Sequence, residues 1–174
     1  FAMDSKGEIS SPVQSEILRA DAYEPDDDEA SSTAFDHSAA QRHNFHQPYD
    51  ADWVHFYALT GQVYEIRTVQ LGSNVDTVIE LYRQNPDRSL TLIVQRDSQG
   101  KGRGDGEYVL LSHPETNAFY YVRVRPYDSS SAGSQSEYEL QIYIPTAGVG
   151  HSLIVVAVDR VFGCALPPGS TATL

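Results

Sequence analysis

Phe119-Tyr120-Tyr121-Val122-Arg123-Val124-Arg125 reads as a strand with two unlike sides. Successive side chains of an extended chain point to opposite faces, so Tyr120, Val122 and Val124 share one side while Phe119, Tyr121, Arg123 and Arg125 share the other. The first side suits a core and the second meets water. The same period of two recurs in Val54, Phe56 and Ala58, in Tyr64, Ile66 and Thr68, in Ile79 with Leu81, and in Tyr138, Leu140 and Ile142. Short β-prone runs at 43–45, 53–59, 62–69, 77–82, 91–96, 107–111, 119–125 and 137–144 alternate with turn chemistry, which predicts an all-β sandwich or barrel. Links of a few residues are too short for the crossovers that parallel strands need, so antiparallel order is expected. Thr60-Gly61 reads as a tight hairpin, Gln99-Gly100 and the stretch from Gly102 to Gly106 as flexible loops, and Asp128 to Ser134 as a long polar loop.

Two acidic segments flank the start of this pattern: Tyr23-Glu24-Pro25-Asp26-Asp27-Asp28-Glu29, and Asp50-Ala51-Asp52-Trp53 at the mouth of a strand. Their carboxylates converging on one hard cation would meet the demand of Ca²⁺ for six to eight oxygens. The plain alternative is a solvated acidic linker. Pro25 fixes its own φ and biases Glu24 toward an extended backbone, which a linker does not require. The chain carries a net charge of −12 over 174 residues. Its pI is near 4.7. A phosphate backbone or an anionic membrane would be repelled by that charge, and a cation is its natural counter-ligand.

The single cysteine, Cys164, excludes an internal disulfide, so stability rests on packing and on any bound metal. No run of eighteen apolar residues is present to cross a membrane; the longest apolar stretch, 153–158, has strand length. Residues 1–19, with a short amphipathic patch at Val13, Ile17 and Leu18, are expected to be a flexible N-terminal segment or an expression remnant. Residues 20–145 are expected to hold the sandwich. A flexible joint at 146–150 then leads into a β-prone run at 152–162, so 146–174 reads as a linker plus an extra strand, the start of a following domain, or a strand that pairs with a second copy.

Six histidines raise the question of a nitrogen-ligated metal, above all His43-x-x-His46 with His37 and His55 nearby. Residues three apart on a strand point to opposite faces, so His43 and His46 converge only if the strand ends between them, and zinc is set aside on that ground. Ser112 and His113 lack the Gly-x-Ser-x-Gly elbow of a hydrolase, and Gly100 to Gly104 lacks both the P-loop order and a following helix, so no enzyme is expected. Among the eleven tyrosines, Tyr121 and Tyr127 with Arg123 and Arg125 form a candidate strip for a polypeptide or polysaccharide ligand.

Taken in order, Glu24-Pro25-Asp26-Asp27, His43-Asn44-Phe45-His46, Asp50-Ala51-Asp52-Trp53-Val54-His55-Phe56, Gly61-Gln62-Val63-Tyr64-Glu65-Ile66, Asp76-Thr77-Val78-Ile79-Glu80-Leu81-Tyr82, Phe119 to Val124 and Tyr138-Glu139-Leu140 resemble the bacterial pre-peptidase C-terminal domain over about residues 20 to 144. The resemblance implies an antiparallel, jelly-roll-like β-sandwich of about eight strands without catalytic activity, attached to exported proteins and located outside the cytoplasm (secreted, periplasmic or at the cell surface). It also implies calcium held by Glu24, Asp26 and Asp27 from the first acidic segment and by Asp52, with Asp50, from the second. Ala22 stands where collagen-binding relatives place another carboxylate, with Asp21 beside it as the substitute. On the late strand those relatives carry apolar or aromatic side chains, a pattern that Arg123 and Arg125 break and Tyr127 keeps. The expected role is a calcium-stabilised accessory domain that helps its parent bind, fold or anchor.

Overall fold

The computed structural model describes residues 19–98, 106–133 and 135–145. Within them the chain forms β1 (Thr33–Ala34), β2 (Gln41–Asn44), β3 (Asp52–Ala58), β4 (Val63–Val69), β5 (Thr77–Gln84), β6 (Leu90–Arg96), β7 (Tyr108–Ser112), β8 (Ala118–Pro126) and β9 (Glu137–Tyr143). These strands build a five-stranded sheet in the order β1-β3-β8-β5-β6 and a four-stranded sheet in the order β2-β9-β4-β7. The two inner faces meet over one apolar core, as expected when each strand has a single apolar side. Every inward row read from the sequence is buried: Val54, Phe56 and Ala58; Tyr64, Ile66 and Thr68; Ile79 and Leu81; Tyr120, Val122 and Val124; Tyr138, Leu140 and Ile142.

Two sequence expectations need correction. Antiparallel order holds for every pairing except that of β1, which runs parallel to β3 through Thr33↔Val54 and Ala34↔His55. Two residues are too few to show a period, so nothing in the sequence marked that edge. The turn at Thr60-Gly61 is real, with Gln62 N–H donating to the Leu59 carbonyl at 3.2 Å and Gly61 at φ 78, a backbone region where glycine has no steric penalty. It is not a hairpin, however, because β3 and β4 lie in different sheets. A short arch suffices to cross the roughly 10 Å between stacked sheets, and it lets both strands turn their apolar sides inward. Of the connections between consecutive strands, β5 to β6 alone pairs its neighbours within one sheet.

The candidate flexible loop at Gly100 to Gly104, the 146–150 joint, the 151–174 strand, Cys164 and the amphipathic patch at Val13, Ile17 and Leu18 lie outside the described residues. Among the described residues no helix is long and apolar enough to cross a membrane.

Candidate metal centre

At one end of the sandwich the two inner faces finish in polar residues instead of apolar ones. Asp52 opens β3 on the same inward side as Val54 and is buried. Opposite it, in the other sheet, His43 of β2 pairs with Tyr138 of β9, and Tyr138 Oη donates to Asp52 Oδ2 at 2.6 Å. The segment before β1 covers this mouth. Trp53 N–H donates to the Asp26 carbonyl at 2.9 Å, Asn44 N–H donates to Asp21 Oδ2 at 2.8 Å, and Asn44 Nδ2 donates to the Arg19 carbonyl at 3.1 Å. The tie between Trp53 and Asp26 sets the carboxylate of Asp26 beside that of Asp52.

The turn before β3 supplies the fourth wall. Tyr49 takes a positive φ of 68, and its N–H donates to the Ser129 carbonyl at 2.7 Å. That left-handed residue turns the chain back, so Asp50 Oδ2 accepts His46 N–H at 2.7 Å. Ser136 Oγ donates to the Phe45 carbonyl at 2.8 Å, which braces the same turn from the β8–β9 loop.

The result is a nest of donor atoms. Ligating atoms lie within 4.8 Å of one another in three overlapping groups: Asp21 with His43 and Asp52, Glu24 with His46 and Asp50, and Glu24 with Asp26 and Asp52. Of the carboxylates implied by the family resemblance, Glu24, Asp26, Asp50 and Asp52 are brought together as expected, and Asp21 joins them. Asp27 is the exception. It is exposed and belongs to none of the three groups, although its charge helps to raise the pKa of Asp26.

Both histidines set aside in the sequence also face this nest. Strand β2 stops at Asn44, so the chain bends between His43 and His46 and the opposite-face rule no longer applies. His46 Nδ1 lies 2.8 Å from Glu24 Oε1 and 2.7 Å from Asp50 Oδ2, yet it has no aligned hydrogen-bond partner. Two ligands about 2.1 Å from one ion and at right angles to each other are roughly 3 Å apart, so such off-axis contacts suit cis ligands of a shared ion.

Electrostatics point the same way. Asp26 has no solvent exposure, and neither of its oxygens has a hydrogen-bond partner. Burial, then the charges of Glu24, Asp21, Asp50 and Asp27, push its pKa up to about 8. Burial lifts Asp50 to about 6 and carries Asp52 well above the usual carboxylate range. Buried charge of one sign needs a partner of the other, and among the described residues no lysine or arginine forms an ion pair with these carboxylates. Clustered carboxylate oxygens are the donors that hard divalent cations take.

The other sequence candidate lies on the outer face of the five-stranded sheet. Tyr121, Arg123 and Arg125 do point outward from β8, and Tyr127 follows it, 40% exposed. The arginines are engaged within the protein. Arg123 Nη1 donates to Glu80 Oε2 at 3.2 Å, and Arg125 Nε donates to Glu80 Oε1 at 2.9 Å. The Arg123 guanidinium also lies 5.7 Å above the Trp53 ring, which stacks on Tyr82 at 5.2 Å. Cross-strand register produces this mosaic, pairing Trp53 with Arg123 and Glu80 with Arg123. Its exposed aromatic surface lies farther along, where Tyr57 and Phe119 pack edge to face at 5.0 Å.

No protein-family model matches the chain, and no curated protein matches it either. Among solved structures, the surface-associated copper-binding protein CorA of Methylomicrobium album BG8 superposes with a TM-score of 0.50 at 13% identity, over 66% of this chain and 98% of its own. PliG of Aeromonas hydrophila, a periplasmic inhibitor of g-type lysozyme, gives a TM-score of 0.46 at 16% identity, over 66% of this chain and 96% of its own. A structure of carbohydrate-binding modules from the β-sandwich superfamily gives 0.41 at 9% identity, over 62% of this chain and 54% of its own. At such identities the likeness concerns the fold, and a β-sandwich of this kind supports many unrelated functions.

Proposed function

We propose that this chain is a non-catalytic accessory β-sandwich of an exported bacterial protein, of the pre-peptidase C-terminal kind, whose rim binds a divalent cation. Calcium is the ion that its carboxylate-rich donor set favours. The supporting observation is Asp26, fully buried with both oxygens unpartnered among further carboxylates. The cation ties the 21–27 segment to the end of β2 and the start of β3, which gives the parent protein a rigid module at extracellular calcium and a looser one without it. Binding to the folded form alone adds stability by mass action, about 2.7 kcal/mol at a hundredfold excess over the dissociation constant. Calorimetric titration of metal-stripped protein with Ca²⁺, repeated on Asp50→Asn, tests this. Saturable heat and a melting temperature that climbs with free calcium are expected, both weakened by the substitution; an identical melting curve with calcium and with chelator would overturn the reading.

A second reading is favoured by the neighbouring Tyr57 and Phe119, 49% and 42% exposed. Flat rings on an open sheet face suit an extended polypeptide or polysaccharide ligand, with Tyr121 and Tyr127 on the same side. Retention on insoluble polysaccharide that survives Tyr57→Ala with Phe119→Ala would remove it. Assembly through 151–174 concerns residues outside those described.

A further inference from the structure

His43 poses a question that an all-oxygen calcium site leaves unanswered. Gln41 precedes it on the same inward side of β2, and Gln41 Nε2 donates to the Ala34 carbonyl at 3.1 Å. This orients the amide so that its Oε1 lies 3.2 Å from His43 Nε2. A carbonyl oxygen only accepts, so the ring proton sits on Nε2 and the lone pair on Nδ1. His43 has no solvent exposure, and Nδ1 has no hydrogen-bond partner. Near it stand Asp21 Oδ2 at 3.8 Å and Asp26 Oδ2 at 3.9 Å. A lone pair therefore confronts two carboxylates at separations beyond hydrogen-bond reach, and a shared proton does not relieve the repulsion.

We propose that His43 Nδ1, Asp21 and Asp52 form a mixed nitrogen-oxygen site for a divalent first-row transition metal ion, beside the remaining rim carboxylates Glu24, Asp26 and Asp50. Two donors bound about 2.0–2.1 Å from one ion lie at most roughly 4.2 Å apart, and the His43 to Asp21 distance falls inside that limit. The three ligating atoms lie within 4.8 Å of one another, so Asp52 closes by a few tenths of an ångström at most.

The surroundings have the character of a metal's outer shell. Gln41 holds the imidazole tautomer, Tyr138 Oη donates to Asp52 Oδ2 at 2.6 Å, and Asp21 accepts Tyr23 N–H at 2.8 Å on Oδ1 and Asn44 N–H at 2.8 Å on Oδ2. Each of those oxygens keeps a lone pair for a metal, and such partners orient ligands before the ion arrives. Tyr23 and Tyr138 stack on the ring at 4.6 Å and 5.6 Å, fixing its plane. Imidazole is a poor ligand for calcium and a good one for zinc, copper, nickel or cobalt. His46 Nδ1 lies against Glu24 Oε1 and Asp50 Oδ2 in the neighbouring group and serves as the control.

The inference shares its location with the proposed rim cation, and the two are tested separately. Untagged, metal-stripped full chain is saturated with Ca²⁺ and titrated with Co²⁺, following the visible d–d bands, and a parallel Cu²⁺ sample is examined by electron paramagnetic resonance. About one equivalent of Co²⁺ bound in the presence of calcium is expected, with coupling to one nitrogen in the Cu²⁺ spectrum that His43→Gln removes and His46→Gln keeps. Gln41→Ala weakens Co²⁺ binding roughly 10–100-fold through the freed tautomer. Should His43→Gln not fold, ¹⁵N-imidazole spectra of the unsubstituted protein replace it, with the Nδ1 resonance of His43 moving on metal addition. Displacement of all Co²⁺ by millimolar calcium, or nitrogen coupling that follows His46, overturns the proposal. Loss of calcium stabilisation with cobalt binding intact would instead overturn the accessory-domain reading and leave this one standing.

Discussion

Two buried carboxylate regions of this sandwich contrast sharply. On the outer face of the five-stranded sheet, Glu80 is 5% exposed, accepts hydrogen bonds from Arg123, Arg125 and Tyr82, and has no unpartnered oxygen. Burial alone would raise its pKa, but the Tyr82 hydroxyl and the two guanidiniums together hold it below the usual glutamate range. At the rim, Asp26 is also buried, faces charges of its own sign, and is lifted to about 8. The contrast separates a carboxylate that the protein neutralises for itself from one that must be neutralised from outside. The first braces the sheet, and the second is the kind of group that the proposed cation would neutralise.

The largest test of this contrast is removal of the rim cation. Chelation is expected to cost about 3 kcal/mol at working calcium, which for a domain of this size lowers the melting temperature by roughly 5–10 °C. Limited proteolysis should then cut the chain near 21–30, and Glu80→Gln should show the same chelator shift as the parent. Next in size, Glu80→Ala leaves Arg123 and Arg125 unpaired at a cost of about 2 kcal/mol, since hydrogen bonds to charged groups contribute roughly 1.5–3 kcal/mol. Urea unfolding should show that loss equally with and without calcium. Tyr138→Phe removes one donor from Asp52 and is expected to cost about 1.5 kcal/mol; unlike the Glu80 variant, it should also weaken metal binding about tenfold by titration.

The smallest effect is the pH dependence of metal-free protein. Asp26 in the folded chain titrates near 8 against 3.8 for an ordinary aspartate, so the folded state holds a proton that the unfolded state has lost. Its contribution is therefore complete below pH 3.8 and fades as pH rises through 8. Asp52, also raised by burial, acts in the same sense. His43 acts in the opposite sense, because burial takes it from 6.5 to about 4, and its contribution is lost only as pH falls from 6.5 through 4. Between pH 6.5 and 8 the aspartates set the slope, so the melting temperature of metal-free protein should drift downward with rising pH. Saturating calcium should flatten or reverse that slope, because the cation takes the proton's place. A slope that ignores calcium would break the comparison between the two regions.

Much of the rim was legible because acidic residues cluster in sequence at 24–29 and 50–52. The histidines were not, since their convergence depends on where β2 ends, and spacing rules cannot locate that break: a strand's last hydrogen-bonded residue is set by its partner, here the pairing of Asn44 with Glu137. Asp27 stands outside the three groups of converging donors, a placement that adjacency in sequence does not reveal. Glu80 gave no sequence signal at all, because its arginines stand more than forty positions away and reach it only through the β5–β8 register. The exposed pair of Tyr57 and Phe119 is likewise a product of cross-strand pairing.

The alternation of apolar and polar residues was enough to establish strands, their inward faces and a two-layered core, since burial of one side is a local property of each run. Charge density likewise pointed to the acidic end where the carboxylates gather. Which strands became neighbours, that Thr60-Gly61 is an arch and not a hairpin, and that an imidazole joins the carboxylates were decided by tertiary structure alone. Hydrogen-bond register and sheet stacking bring together residues far apart in the chain, and no local pattern records those meetings.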